Sequence, residues 1–297
     1  MRVLIAVVLF ALSGLPAWAG THDASAPPEV TLAPPPQEQA TGGDRGAPEA
    51  VDADLALVPA EPDFTLVSLP STLRLPSGKW AFRVTHRFTR ALDDGTFGDL
   101  ASDLFGLDGG ALVGLEVRYG VRSGTQLVLL RTSDRSMQLL AQHSVLGARP
   151  DRTLGLDVIA SVQGLDNFSE AFTGTLGVLL SHRFGDRGAI YAEPLLLFNA
   201  MPNADDDDVT VLLGVGTRIR FGGSRYLVAE FAPRVSGPAP GDHHAGVAFE
   251  MRRGGHSFQI NVSNSFATTL AQMANGFGST GDWRLGFGIS RKFWRGR

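Results

Sequence analysis

The sequence has no cysteine, which removes disulfides, thiolate metal sites and a lipid-anchored cysteine from consideration. Charge is scarce: Asp, Glu, Lys and Arg make up 19% of the chain, against about a quarter in ordinary soluble domains. Beyond the N-terminus no apolar run approaches the roughly 20 residues that a membrane-spanning helix needs. No glycine-rich phosphate motif follows a strand and opens a helix, so a nucleotide site of that kind is excluded. What the chain has instead is glycine, 36 of 297 residues, and hydrophobicity spread as alternation.

The stretch from Phe172 to Phe221 shows the pattern. Phe172, Gly174, Leu176, Val178, Leu180, His182 and Phe184 take alternate places, with Thr173, Thr175, Gly177, Ser181 and Arg183 among the residues between. After the turn Gly185 to Gly188 comes a run carrying Ile190, Ala192, Leu196 and Phe198 on one face. A loop holding Asp205 to Asp208 then leads into Val209, Val211, Leu213, Val215, Ile219 and Phe221, alternating with Thr210, Gly214, Gly216, Arg218 and Arg220. Strand side chains point to opposite faces with period two, so each run has one oily and one small or polar face. Runs of about ten residues are long enough to cross a bilayer as tilted strands.

The same reading along the chain predicts twelve strands near 79–90, 110–119, 124–132, 136–147, 153–163, 170–184, 189–199, 208–221, 224–235, 244–253, 256–266 and 281–294. Their connections are alternately short and long, and only Ser133-Asp134-Arg135 breaks the order. Arginines (Arg122, Arg149, Arg152, Arg187, Arg225, Arg252, Arg253) gather at the short-turn end, and aspartates (Asp93, Asp94, Asp99, Asp103, Asp108, Asp166, Asp205 to Asp208, Asp242) at the long-loop end. Aromatic residues collect at both ends and leave the strand centres to Val, Leu, Ile, Ala and Gly. Sorted loops and paired aromatic girdles belong to outer-membrane barrels. The predicted fold is therefore all-β: an antiparallel up-and-down transmembrane β-barrel of about 12 strands. A soluble secreted β-protein binding a ligand or partner is the alternative, because a sandwich also alternates.

Before the barrel, residues 1–19 read as a secretory signal cleaved after Ala19, with Arg2 at the start, an apolar core from Val3 to Leu15 and Ala17-Trp18-Ala19 at the cleavage site. Residues 20–62 read as a disordered linker. They hold eight of the 17 prolines, eight acids and the single base Arg45, a composition unable to offset its chain entropy by burial. The barrel domain is then 63–297, with Phe64 to Ser77 extended and tucked into its base. The formal charge of the chain is −4; setting aside Arg2 and the linker's −7 leaves +2 for residues 63–297. No broad basic field results, and nucleic acid is not an expected partner.

If the oily faces meet lipid, the opposite phase lines a lumen: Arg83, Arg87, Glu116, Arg118, Asp157, Arg183, Arg218, Arg220, Glu230, Arg234 and Glu250. Charged groups cannot face hydrocarbon cheaply, so this phase is the one the barrel requires. Two consequences are open: a polar, cation-biased pore for anionic or other small polar solutes, or a structural barrel whose lumen is filled by Arg–Glu networks. Glycines on the lumen phase, among them Gly214, Gly216, Gly286 and Gly288, make room either for long arginines or for a solute. The first long loop predicts a helical turn at Asp99 to Leu107. The last, Thr268 to Gly281, has Leu270 and Met273 as apolar anchors.

An outer-membrane lipid hydrolase is the third reading. It needs Ser, His and an orienting group on one face, whereas His143-Ser144 and His256-Ser257 are adjacent and point to opposite faces. Asp242-His243-His244 lacks further metal ligands, and Asp205 to Asp208 lacks the spacing of a calcium loop. No catalytic residue, metal site or cofactor is predicted, and the chain is not read as an enzyme.

Thr85-His86-Arg87-Phe88, Asp103-Leu104-Phe105-Gly106-Leu107-Asp108-Gly109-Gly110-Ala111, Tyr119-Gly120-Val121 and Arg131-Thr132-Ser133 occur in order, followed by Ser257-Phe258-Gln259, Ser263-Asn264-Ser265 and Gly286 to Phe293. Over about 65–293 these resemble a family of bacterial outer-membrane β-barrels known as a domain of unknown function. The resemblance implies a fold and a location and no site residues; the expected partners of the barrel are outer-membrane lipids and the barrel-insertion machinery, and the expected state is a monomer. One departure is the C-terminus: such barrels commonly end on an aromatic residue, whereas here Trp294-Arg295-Gly296-Arg297 follow Phe293.

Overall fold

The computed structural model describes residues 58–106, 109–146, 153–201, 209–237, 243–276 and 281–293, all within the compact unit Asp52–Arg297. The signal expected at 1–19 and most of the linker expected at 20–62 lie outside the described residues. The strands are β1 (Trp80–Ala91), β2 (Ala111–Arg122), β3 (Thr125–Thr132), β4 (Met137–Ser144), β5 (Leu154–Leu165), β6 (Glu170–Arg183), β7 (Gly188–Phe198), β8 (Val209–Gly222), β9 (Arg225–Ala232), β10 (Arg234–Ser236), β11 (His244–Arg253), β12 (His256–Ser263) and β13 (Arg284–Phe293). Each long strand pairs antiparallel with its sequence neighbours, and β1 pairs with both β2 and β13. The sheet closes on itself as a 12-strand barrel, which leaves no free edge. The short β10 continues β9 beyond Pro233 and pairs with β8. Proline has no N–H to give a ladder, so the strand breaks there.

Turn chemistry sets the register at the short-turn end. Between β11 and β12, Gly254 and Gly255 have φ of +53° and +83°. Positive φ at both central residues is what a two-residue hairpin matched to the strand twist needs. Arg253 and His256 are accordingly paired on either side.

The barrel is apolar outside and polar inside. Leu129, Leu176, Leu196, Leu227, Val247 and Ile260 are exposed, Ile260 at 61%. Gln126, Gln142, Asp157, Glu193, Arg218 and Glu250 are fully buried. Water-soluble monomers seldom expose a continuous apolar band of this extent; hydrocarbon solvates it instead. We therefore expect Ile260→Arg, near the middle of β12, to cost the lipid-embedded barrel roughly 2–4 kcal/mol, read as a shift in the urea midpoint of folding into vesicles. A water-soluble body would accept an exposed arginine there without loss.

Two segments fold into the barrel. From the short-turn end, residues 58–77 form a strap, with every residue from Ala60 to Thr72 buried. Its centre is a tight hairpin: Thr65 bridges Pro70, Leu66 N–H donates to Leu69 O at 2.7 Å, and Ser71 N–H donates to Phe64 O at 2.8 Å. The sequence suggested an extended stretch tucked at the base from Phe64; the structure has a hairpin that begins earlier and reaches into the interior. From the other end, the last long loop enters as α2 (Leu270–Ala274), whose residues are all buried. Its N-terminus carries a capping box between Thr269 and Gln272, and the Gln272 side chain also reaches Asp134 Oδ2 at 3.0 Å. The first long loop stays outside as α1 (Phe97–Ser102), with Phe97 75% exposed. Hydrogen bonds from the Thr96 backbone and hydroxyl hold the Asp99 carboxyl below its ordinary pKa there.

Candidate functional site in the barrel lumen

The interior is organised by how the wall holds the strap hairpin. Glu230 on β9 accepts three backbone N–H bonds from the hairpin tip, from Val67 at 2.9 Å, Ser68 at 2.8 Å and Leu69 at 3.0 Å. A carboxylate facing three converging amides is a strong, charge-assisted clamp. Arg218 on β8, fully buried, donates to the main-chain oxygens of Asp63 (3.2 Å) and Thr65 (2.5 Å) and to Glu250 Oε2 at 3.0 Å. Arg83 and Arg87 on β1 both donate to Val67 O, at 3.0 and 2.8 Å. Gln259 donates to Leu66 O at 2.8 Å and Gln142 to Ser71 O at 3.0 Å. The buried carbonyls of an irregular segment need partners, and the wall's long polar side chains supply them.

Side-chain contacts pin the two arms. Asp63 accepts from Ser290 Oγ at 2.8 Å, and the cations of Lys292, Arg83 and Arg218 act on its charge. Arg118 and Lys292 lie against the Phe64 ring, 5.2 and 5.4 Å from its centroid. Glu61 accepts from Thr72 Oγ1 at 2.6 Å and Tyr191 OH at 3.3 Å, and faces Arg183 at 3.8 Å. Thr72 and Ser181 hydroxyls meet at 2.6 Å. Arg74 pairs with Asp157 at 2.9 Å.

Leu66 and Leu69 pack into an apolar cluster with Leu179, Tyr191, Leu195 and Leu212. These wall residues occupy the interior phase of β6, β7 and β8, and the sequence reading passed over them. The signal was legible at Leu195-Leu196-Leu197, apolar on both phases, which means that the lumen side of that strand also has an apolar partner.

Of the residues placed on the lumen phase by the sequence, Arg83, Arg87, Glu116, Arg118, Asp157, Arg218, Glu230 and Glu250 are buried. Arg183, Arg220 and Arg234 are half-buried; Arg220 caps Gly223 O at the short-turn rim, and Arg234 reaches Met273 O of α2 at 3.3 Å. The pairs differ from strand adjacency. Arg218 and Glu230 do not pair; Arg218 reaches across β9 to Glu250 on β11, while Arg118 pairs with Glu116 on its own strand. Glu193, fully buried beside Gly214 and Leu69, makes no hydrogen bond with either carboxyl oxygen among the described residues. In all, the strands bury seven cations (Arg83, Arg87, Arg118, Arg218, Arg252, Arg284, Lys292) and five carboxylates (Glu116, Asp157, Glu193, Glu230, Glu250). The strap adds the buried Glu61 and Asp63 together with Arg74, which pairs with Asp157; by itself the wall buries more cations than carboxylates among the described residues.

One arrangement has the outline of a hydrolase site. His244 Nδ1 lies 2.9 Å from Ser265 Oγ, and its Nε2 lies 2.7 Å from Glu230 Oε1. Catalysis needs a nucleophile that substrate can reach, yet Ser265 is 1% exposed and its Oγ also accepts the Ala267 N–H. Glu230 is committed to the hairpin amides. The trio is a tether from the long-loop end to the strap, completed by Ser68 Oγ donating to Ala267 O at 3.1 Å. His143 and Ser144 diverge, the first exposed and bonded to Thr125, the second buried. His243 is exposed while His244 points inward; Asp242 and Asp205 to Asp208 lie outside the described residues.

Residues 63–293 match the family described as "Membrane bound beta barrel domain (DUF5777)". The chain belongs to this family of membrane-bound β-barrels. No curated protein matches the chain. Among solved structures, the DUF5777 barrel is similar to the KdgM porin, at 10% identity over 73% of this chain and 99% of that one, with a TM-score of 0.49. It is also similar to the NanC porin, at 9% identity over 72% and 100% with a TM-score of 0.49. A substituted porin of Rh. blastica is similar at 15% identity over 65% and 58%, with a TM-score of 0.33.

Proposed function

We propose that this membrane barrel is a porin-like outer-membrane channel for small polar solutes, non-enzymatic and monomeric, whose path is closed by its own strap. The observation that carries the reading is the topology of the plug. Both arms of the hairpin reach the short-turn end: on one, Gly78 N–H bonds Gly120 O at 2.7 Å and Ser77 lies against Val121; on the other, Lys292 near the end of β13 donates to Pro62 O and Glu61 faces Arg183 at the end of β6. A hairpin can therefore withdraw without threading the chain through the wall. The lumen it would leave is polar and net positive, which suits anionic or zwitterionic solutes.

In this reading residues 1–19 direct export and are cleaved after Ala19, residues 20–62 are a linker whose last five residues enter the barrel as the start of the strap, and 63–297 are the barrel domain. The short turns face the periplasm and the long loops the exterior. Outer-membrane lipids contact the apolar band, and Phe293 at the end of β13 serves the insertion machinery. The second reading, a structural barrel with a permanently filled lumen, draws support from the Glu230 clamp and the buried Arg218–Glu250 pair.

A disulfide distinguishes them. The chain has no cysteine, so Thr72→Cys with Ser181→Cys, whose hydroxyls meet at 2.6 Å, introduces a single possible bridge between strap and wall. In planar bilayers the reduced protein is expected to show discrete current steps that vanish on oxidation. A protein equally silent in both states supports the filled barrel.

A further inference from the structure

The strap bonds to Arg83 and Arg87 differently from the rest of the wall. Both guanidinium groups send Nη2 to one neutral oxygen, that of Val67. Arg87 further bonds Ser68 Oγ at 3.2 Å and the Asn261 side chain, and its Nε has no partner. Neither arginine joins an ion pair among the described residues. Arg83 is 7% and Arg87 1% exposed. Buried arginines are ordinarily met by carboxylates, whereas these two converge on a single carbonyl and touch no carboxylate directly. The carboxylates that act on them at a distance are engaged elsewhere: Glu230, acting on Arg87, by the hairpin amides and His244, and Asp63, acting on Arg83, by Ser290 and the Phe64 N–H.

The wall is shaped around Arg87. Gly286 on β13 stands opposite Arg87, and a Cβ there would come within 3.0 Å of Arg87 Nη1, 2.6 Å of Asn261 Oδ1 and 2.7 Å of His86 O. A side chain at 286 would displace the Asn261 amide and crowd both the His86 carbonyl and the guanidinium.

We infer that Arg83 and Arg87, with Asn261, form a lumen binding site for the oxyanion group of a small solute, a carboxylate or a phosphate, for which the Val67 carbonyl stands in while the strap is seated. A two-oxygen anion satisfies converging guanidiniums far better than one carbonyl does. The inference deepens the channel reading and rests on it for the solute's route inward. Binding is measured in detergent without any current, so either can fail alone.

The full chain carrying Glu230→Gln provides the test, because this change weakens the clamp on the hairpin and removes a negative charge near the site. Titration calorimetry at matched ionic strength, with inorganic phosphate in one arm and succinate in another against a chloride control, is expected to show binding at least about tenfold tighter than in the unsubstituted chain, where the seated strap competes. Adding Arg87→Gln is expected to weaken it at least about tenfold again. The arm that binds identifies the class of oxyanion. A second measurement leaves the arginines and the clamp intact: in the single variant Thr72→Cys, maleimide labelling of the strap is expected to accelerate in phosphate or succinate relative to chloride. A folded Glu230→Gln chain that binds neither anion overturns the site. So does binding that Arg87→Gln leaves unchanged, or labelling indifferent to the anion.

Discussion

Glu230→Ala is expected to destabilise the folded barrel by about 3 kcal/mol or more and to release the strap. The carboxylate takes the N–H groups of Val67, Ser68 and Leu69 and a hydrogen bond from His244. A buried donor left without its acceptor costs about 1–3 kcal/mol, and alanine strands four at once; solvent admitted as the hairpin loosens recovers part of that. The temperature at which unheated protein converts to the slower-migrating unfolded form in detergent gels should fall, and protease should gain access to 58–77 while the barrel stays intact. Glu230→Gln, which keeps an acceptor oxygen, should fall in between. If Glu230→Ala has an unchanged conversion temperature and an uncut strap, the carboxylate is not what seats the hairpin.

The second large effect belongs to Arg218. With no exposed side-chain surface, it joins β8 to two strap carbonyls and to Glu250. Arg218→Met leaves Glu250 as a buried charge without its partner, a class of change that costs about 3–5 kcal/mol. Neutralising the survivor should return much of the loss, so Arg218→Met with Glu250→Gln should be more stable than Arg218→Met alone. The signature is non-additivity in the double-mutant cycle, followed by urea unfolding of the barrel in detergent or lipid. Additive effects would mean that Arg218 acts through the strap carbonyls and not through Glu250. The two experiments separate the parts of the lumen: Glu230 holds the hairpin tip, and Arg218 ties its arm to the far wall.

Much of the architecture was legible because a membrane barrel writes itself locally. Leu176 and Leu180 on β6, Ile190 and Leu196 on β7, and Leu213 and Val215 on β8 announce an outward phase that each strand repeats without reference to the others. The turns are equally local, as Gly254-Gly255 shows. The helical turn near Asp99 and the apolar anchors Leu270 and Met273 were also visible, although not the burial of the whole of α2. Some charged residues of the opposite phase could be named, but not paired, and Glu193, Arg252, Arg284 and Lys292, also buried, were not among them. Adjacent strands place Gly216 opposite Glu230 and Arg218 opposite Val228, and long arginine side chains then choose partners across the lumen according to what else fills it.

The strap is where local reading stops. Phe64 to Ser77 could be read as tucked into the base, but nothing in Asp63 to Ser71 marks a hairpin seated inside the lumen, since its hydrogen bonds run to residues on the order of 160 positions away, as between Val67 and Glu230. By itself the sequence determined the strand phase, the strand count and the sorted loops, because alternation and turn preference depend only on neighbours along the chain. Tertiary structure alone decided what occupies the lumen, which charges meet, and why Arg83 and Arg87 end on one carbonyl. Those outcomes depend on which distant groups closure brings within hydrogen-bond reach.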